Sequence, residues 1–244
     1  TNPDTEKILK DLVAEIWEFY GKPPYIHLGC DEAYDMGTCH SCRKHPISEL
    51  LAAHLKKFDN FAKQLGTRPI IWHDMLLDYR DARWKHHIAT GNAEIAKALG
   101  KLPKDIVIAD WEYGGVGRDI KKFASPKYFK EEGFDVLVSP WHNESGIVSL
   151  AQTAREDKLL GTLQTTWHHL NSAKNYLLFF LTAADCAWNG GDSNLRWMKR
   201  DKMQRALPML RALWQTGADM EKIPYEANGN SAHQISYDMP FTEY

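Results

Sequence analysis

The sequence predicts an α/β fold in which a parallel sheet is covered by helices. Three observations carry this. Strand-length apolar runs recur five times, segments with helical apolar spacing separate most of them, and composition does not break along the chain. Apolar residues at Ile8, Leu9, Leu12, Val13, Ile16 and Trp17 predict an amphipathic helix that starts at Asn2-Pro3-Asp4 and ends near Gly21-Lys22-Pro23-Pro24. Residues 25–28 are β-prone and predict a buried strand, after which Gly29 lets the chain turn. Residues 47–65 predict a second helix closed by Gly66, and 68–72 a second strand. A helix over 88–99 follows a loop, then a third strand over 105–111. Residues 127–132 lead as a helix into a fourth strand at 134–139. A helix over 148–158 and a fifth strand over 160–166 come next. Helices over 173–187 and 202–213 close the pattern, and the polar, turn-rich tail beyond Pro224 reads as surface-draped or partner-contacting.

Composition narrows the function classes. The 43% hydrophobic and 25% charged content is that of a globular chain able to bury a core. A formal net charge of -2 with no charge block argues against nucleic acid or an anionic membrane as partner. The apolar run from Tyr176 is too short for a membrane span of about 18 residues or more. Four cysteines in 244 residues are not a disulfide scaffold, which favours a reducing, cytoplasmic setting.

The strand ends are more specific than the element count. They carry Asp31-Glu32, Trp72-His73-Asp74, Asp110-Trp111-Glu112-Tyr113, Ser139-Pro140-Trp141-His142-Asn143 and Thr165-Thr166-Trp167-His168. Polar and aromatic residues gathered at the carboxyl ends of parallel strands mark the active face of a (β/α) barrel or an open α/β sheet. Two adjacent acids there repel unless a ligand, proton or cation separates their roles, though Asp-Glu can also simply open a solvated loop. Tryptophan at four of five strand ends points away from core packing alone, because core tryptophans would fall in mid-strand. An aromatic wall beside two carboxylates suits a sugar, whose C–H faces stack on indoles. His27, inside its strand, reads as a buried, hydrogen-bonded histidine. Cys30, Cys39, Cys42 and His45 have the spacing of a structural zinc site, with unligated thiols as the plainer alternative.

His27-Leu28-Gly29-Cys30-Asp31-Glu32 resembles the H-x-G-x-D-E motif of family 20 glycoside hydrolases, the β-N-acetylhexosaminidases. Cys30 before the acids, with Tyr34 and Gly37 after them, is most similar to the hexosaminidase D-like branch. The Asn2-Pro3 helix, Ile70 to Met75, Ala109-Asp110-Trp111, Val138-Ser139-Pro140 and Gly161 to Trp167 fall in family order. The resemblance implies a TIM (β/α)8 barrel, of which this chain would carry strands four to eight. Residues 1–190 would be the C-terminal part of the catalytic barrel, and 191–244 a helix and irregular tail packed on it. The first three strands, with the family's sugar-gripping Arg, would come from elsewhere in the same or another chain.

The resemblance also implies roles. Glu32 would be the acid/base and Asp31 would orient the substrate's acetamido group in substrate-assisted retention. Trp72, Trp111 and Trp167 resemble the tryptophans that box the N-acetyl methyl and the ring, and Trp141 follows the fourth strand beside them. Asp74 would bond sugar hydroxyls or a neighbouring loop. Many members carry a Tyr where this chain has Trp141-His142-Asn143, so Tyr113 or Tyr34 would take its task at the acetamido carbonyl. His168 and His169 would line the pocket or pack. No cofactor is implied, and the partner would be a glycan or glycoconjugate ending in N-acetylhexosamine; the oligomeric state is open. A barrel that binds carbohydrate without catalysis is the alternative.

Overall fold

The computed structural model describes residues 2–113, 123–141, 143–166 and 173–189. Five strands, β1 (Tyr25–His27), β2 (Arg68–Trp72), β3 (Val107–Trp111), β4 (Asp135–Ser139) and β5 (Gly161–Thr162), form one sheet. They pair in parallel and in chain order. That order decides between the two α/β architectures. An open doubly wound sheet reverses its strand order at a switch point, whereas a barrel adds each strand beside the last. The sheet is an arc of a (β/α) barrel.

Alternation along each strand separates two packed faces. Ile70, Trp72, Val107 and Ala109 gather on the concave side with Trp111, Leu137 and Leu163. Ile71, Ile108 and Val136 face the other way, against Leu51 and Leu55 of α2 (Ile47–Leu65), Leu99 and Phe129. Helix α2 ends where the sequence expects: Gly66 takes φ 81°, and Gly66 and Thr67 return their N–H groups to Lys63 and Ala62. Helix α1 (Pro3–Phe19) also starts as expected, with the Asn2 side chain accepting the Asp4 N–H. None of its residues is buried, and its apolar stripe at Ile8, Leu12 and Ile16 stays exposed among the described residues.

The remaining helices are α3 (Ala93–Ala96), α4 (Ala124–Glu131), α5 (Glu144–Glu156) and α6 (Ala173–Asn189). Helices α4 and α5 begin three and four residues earlier than the apolar spacing indicates: α4 opens through Ala124-Ser125-Pro126, and α5 is capped by Asn143, whose side chain accepts the Gly146 N–H. The larger departure is at 88–99, where the expected helix is reduced to α3 and a 3-10 turn at Leu99–Lys101. Thr90 and Gly91 are held by the Asp74 carbonyl at 3.0 and 3.2 Å, and Asp78 bridges Gly91, so this segment runs back across the end of β2. Helix begins only where Asn92 caps Glu94 and Ile95. Gly91 is dictated by space: a Cβ there would lie 2.2 Å from the Met75 carbonyl oxygen. Strand β5 is shorter than expected, yet Leu163 and Thr165 still donate to Val138 and Pro140. The helix expected at 202–213 and the tail lie outside the described residues. Among the described residues no helix is long and apolar enough to cross a membrane.

Candidate active site

The segment leaving β1 is bent by three left-handed residues, Gly29 (φ 72°), Cys30 (φ 73°) and Glu32 (φ 45°). For Cys30 and Glu32 this conformation costs on the order of 1–3 kcal/mol each and persists only where the surroundings impose it. The ladder imposes the first part: Leu28 donates to Ile70 at 2.8 Å and Trp72 to Gly29 at 3.0 Å. Asp74 imposes the second. Its Oδ2 accepts the Glu32 backbone N–H at 3.0 Å and also the Thr90 hydroxyl, while its Oδ1 accepts the Trp111 indole N–H at 3.2 Å. One fully buried carboxylate thus ties the acid-bearing turn, the β2 end, the 78–91 loop and the β3 end together.

Around this anchor the two adjacent acids part. The Glu32 side chain is exposed and its Oε1 accepts the Tyr34 hydroxyl at 3.0 Å. Burial, then that bond and the Glu32 charge, push the Tyr34 phenol up. Asp31 is half-buried, and its charge is felt by His27. His27 packs against Trp72 with ring centres 4.1 Å apart and planes tilted by 50°, and accepts the Gly29 N–H on Nδ1 at 3.0 Å. Burial pulls its pKa down to about 4, only partly opposed by Asp31, so the ring is neutral. His27 is thus half-buried and hydrogen-bonded through Nδ1, with Nε2 unpartnered among the described residues.

An aromatic row continues from the anchor. Trp111 meets Tyr113 at 4.9 Å, and Tyr113 meets Trp141 at 5.2 Å, each pair tilted by about 45–50°. Trp72 is nearly buried within the concave-face cluster, whereas Trp111, Tyr113 and Trp141 are half-buried. Trp141 also packs on Ile147 and Ala151 of α5 and Phe179 of α6. Trp167, His168 and His169 lie outside the described residues. The buried Asp74 oxygens contact the neighbouring loop through Thr90.

The cysteine cluster does not converge. Cys30 turns its sulfur toward the Leu28 carbonyl at 3.5 Å and packs against the helix-side core. Cys39 and His45 are exposed on the following loop. Cys30 takes left-handed backbone, a conformation that spacing alone does not carry. Among the described residues, the one grouping of three side chains close enough to share an ion is His73, Asp110 and Glu112, with ligand atoms within 4.8 Å of one another.

That group lies behind the site, under α4 and the 78–91 loop, and all three members are buried. His73 Nδ1 accepts the Trp111 backbone N–H at 3.2 Å, so Nε2 carries the proton and donates to the Ile88 carbonyl at 2.9 Å. Both ring nitrogens are occupied, which removes His73 as a metal ligand. Glu112 accepts the Ile88 N–H at 3.0 Å. Its other oxygen and both Asp110 oxygens have no hydrogen-bond partner among the described residues. Burial pushes Asp110 up, and burial with the Asp110 charge pushes Glu112 well up. The sequence puts both acids at a strand end without assigning them a face, because which face an alternating residue takes there is not written in its type.

Comparisons with known proteins agree with this geometry. The family model for the catalytic domain of glycosyl hydrolase family 20 matches residues 1–175. No curated protein matches. Among solved structures, the chain is similar to a chitobiase of Flavobacterium johnsoniae, with 17% identity, a TM-score of 0.60, and coverage of 88% of this chain and 34% of that one. It is also similar to an exo-β-N-acetylglucosaminidase of Vibrio harveyi, with 17% identity, a TM-score of 0.55, and coverage of 86% and 35%. A β-N-acetylhexosaminidase of Bacteroides fragilis gives 17% identity, a TM-score of 0.56, and coverage of 85% and 45%. The chain therefore spans between about a third and under half of these proteins. With a family match over most of its length and an arc of parallel strands that places Asp31-Glu32 at a carboxyl end, the chain belongs to glycosyl hydrolase family 20.

Proposed function

We propose that this chain carries the acid pair and aromatic wall of a β-N-acetylhexosaminidase that removes terminal GlcNAc or GalNAc from a glycan or glycoconjugate. The observation that carries the reading is the buried Asp74 carboxylate, which binds the Glu32 backbone and the Trp111 indole at once and so fixes an acid against an aromatic face. In this reading the five strands are the fourth to the eighth of the barrel. Glu32 gives its proton to the leaving glycosidic oxygen while the substrate's acetamido oxygen attacks the anomeric carbon. Asp31 accepts the acetamido N–H and holds that group in line. Glu32, now ionised, takes a proton from the water that opens the resulting oxazolinium ring at the same carbon, which restores the starting configuration. Tyr113, set between Trp111 and Trp141 in the aromatic row, is the candidate for the acetamido carbonyl, with Tyr34 beside Glu32 as the alternative.

One observation favours a second reading for the chain by itself. The five strands among the described residues do not by themselves close an eight-stranded barrel, so the same wall could bind sugar without turnover. Assay with p-nitrophenyl GlcNAc and GalNAc separates the two. Turnover that Glu32→Gln abolishes and Asp31→Asn strongly reduces supports the enzyme; sugar binding with no turnover in wild type or Glu32→Gln supports the binding barrel.

A further inference from the structure

The loop between Glu32 and α2 holds a second pair of reactive side chains, separate from the sugar-facing ones. No cysteine of the chain is in a disulfide, and the four differ sharply in setting. Cys30 and Cys186 are enclosed, and burial pushes their thiols up to about 12 and about 11. Cys39 is exposed and Cys42 half-buried. The Cys42 backbone N–H donates to the Cys39 sulfur at 3.3 Å. That bond, with the Cys42 thiol and the Ser41 backbone, holds the Cys39 thiol below its usual range. Residues 39–43 make one helical turn, closed by the Arg43 N–H on the Cys39 carbonyl at 3.0 Å. Three residues on such a turn separate Cα atoms by roughly 5 Å, inside the ~4.4–6.8 Å that a disulfide spans.

We propose that Cys39 and Cys42 form a dithiol–disulfide site that exchanges with low-molecular-weight disulfides. The Cys39 thiolate attacks one sulfur of the small disulfide. A mixed disulfide forms and the first small thiol leaves, taking up the proton that Cys39 released. The Cys42 sulfur, giving up its own proton, then attacks the Cys39 sulfur and displaces the second small thiol. The two protein thiols are oxidised together by two electrons, and the small disulfide is reduced to two thiols. The site does not depend on the proposed hydrolase activity, because the exchange uses neither the acids nor the aromatic row.

The test uses the native chain with oxidised glutathione, followed by alkylation, intact mass and peptide mapping. The expected product has lost two hydrogens at the 39–42 peptide and is restored by dithiothreitol. Before oxidation, iodoacetamide should modify Cys39 at least roughly tenfold faster than Cys30 or Cys186. Cys42→Ser should stop the reaction at a glutathione adduct on Cys39, and Cys39→Ser should give no such adduct. Cys39 and Cys42 still open to alkylation after oxidation, a disulfide that includes Cys30 or Cys186, or Cys39 no faster than the buried pair would overturn the proposal.

Discussion

Asp31 with Glu32, and Asp110 with Glu112, put the same two side-chain types at two strand ends in two different solvents. The first pair leaves β1 on an open turn, one acid exposed and bonded to Tyr34, the other half-buried near His27. The second is sealed behind β3, where burial drives both acids toward the protonated form. Position relative to the sheet, rather than residue type, separates acids able to meet a ligand from acids that close the core.

The contrast can be broken by experiment. Glu32→Gln should lower turnover of an N-acetylhexosaminide by about 10²–10⁴-fold with little change in melting temperature; a large fall in melting temperature would make Glu32 a structural acid. Asp74→Asn should come next. It places a donor against donors already committed to the carboxylate, loosens the Glu32 turn, and lowers kcat by about 10²-fold while KM changes little. Glu112→Ala should reverse the pattern, costing about 1–3 kcal/mol in denaturant unfolding through the orphaned Ile88 N–H, with a smaller effect on kcat than either change above.

The smallest effects are in pH dependence, and the two sides have opposite signs. Asp110 and Glu112 have raised folded values. From the ordinary carboxylate range up to those values the folded chain binds more protons than the unfolded one, so stability falls as pH rises through that window. His27 is depressed to about 4 from an ordinary value near 6.5; between these the unfolded chain binds more protons, so stability falls as pH drops. Melting curves across pH should show Asp110→Asn with Glu112→Gln flattening the alkaline limb, and His27→Gln the acidic one.

Much of the barrel arc was legible because β-branched runs and their spacing are local properties; β2 and α2 fall where the sequence puts them. Asp31-Glu32 was legible as a strand-end pair for the same reason. Asp74 was not resolved between sugar and loop, since that choice depends on the 78–91 segment folding back, which also erased the expected helix over 88–92. The interior position of Glu112 was not legible, because one residue along a strand end exchanges pocket for interior.

Gly91 makes that fold-back a matter of clearance. The nearest backbone oxygen leaves no room for even a methyl group, so alanine at this position must shift the backbone beside Thr90, whose hydroxyl bonds Asp74. Asp74 in turn holds the Glu32 turn, so a displacement begun at residue 91 would be delivered to an acid it does not touch. Gly91→Ala is thus a mechanical probe: the lightest side chain the chain can acquire, acting on the site through two hydrogen bonds in series.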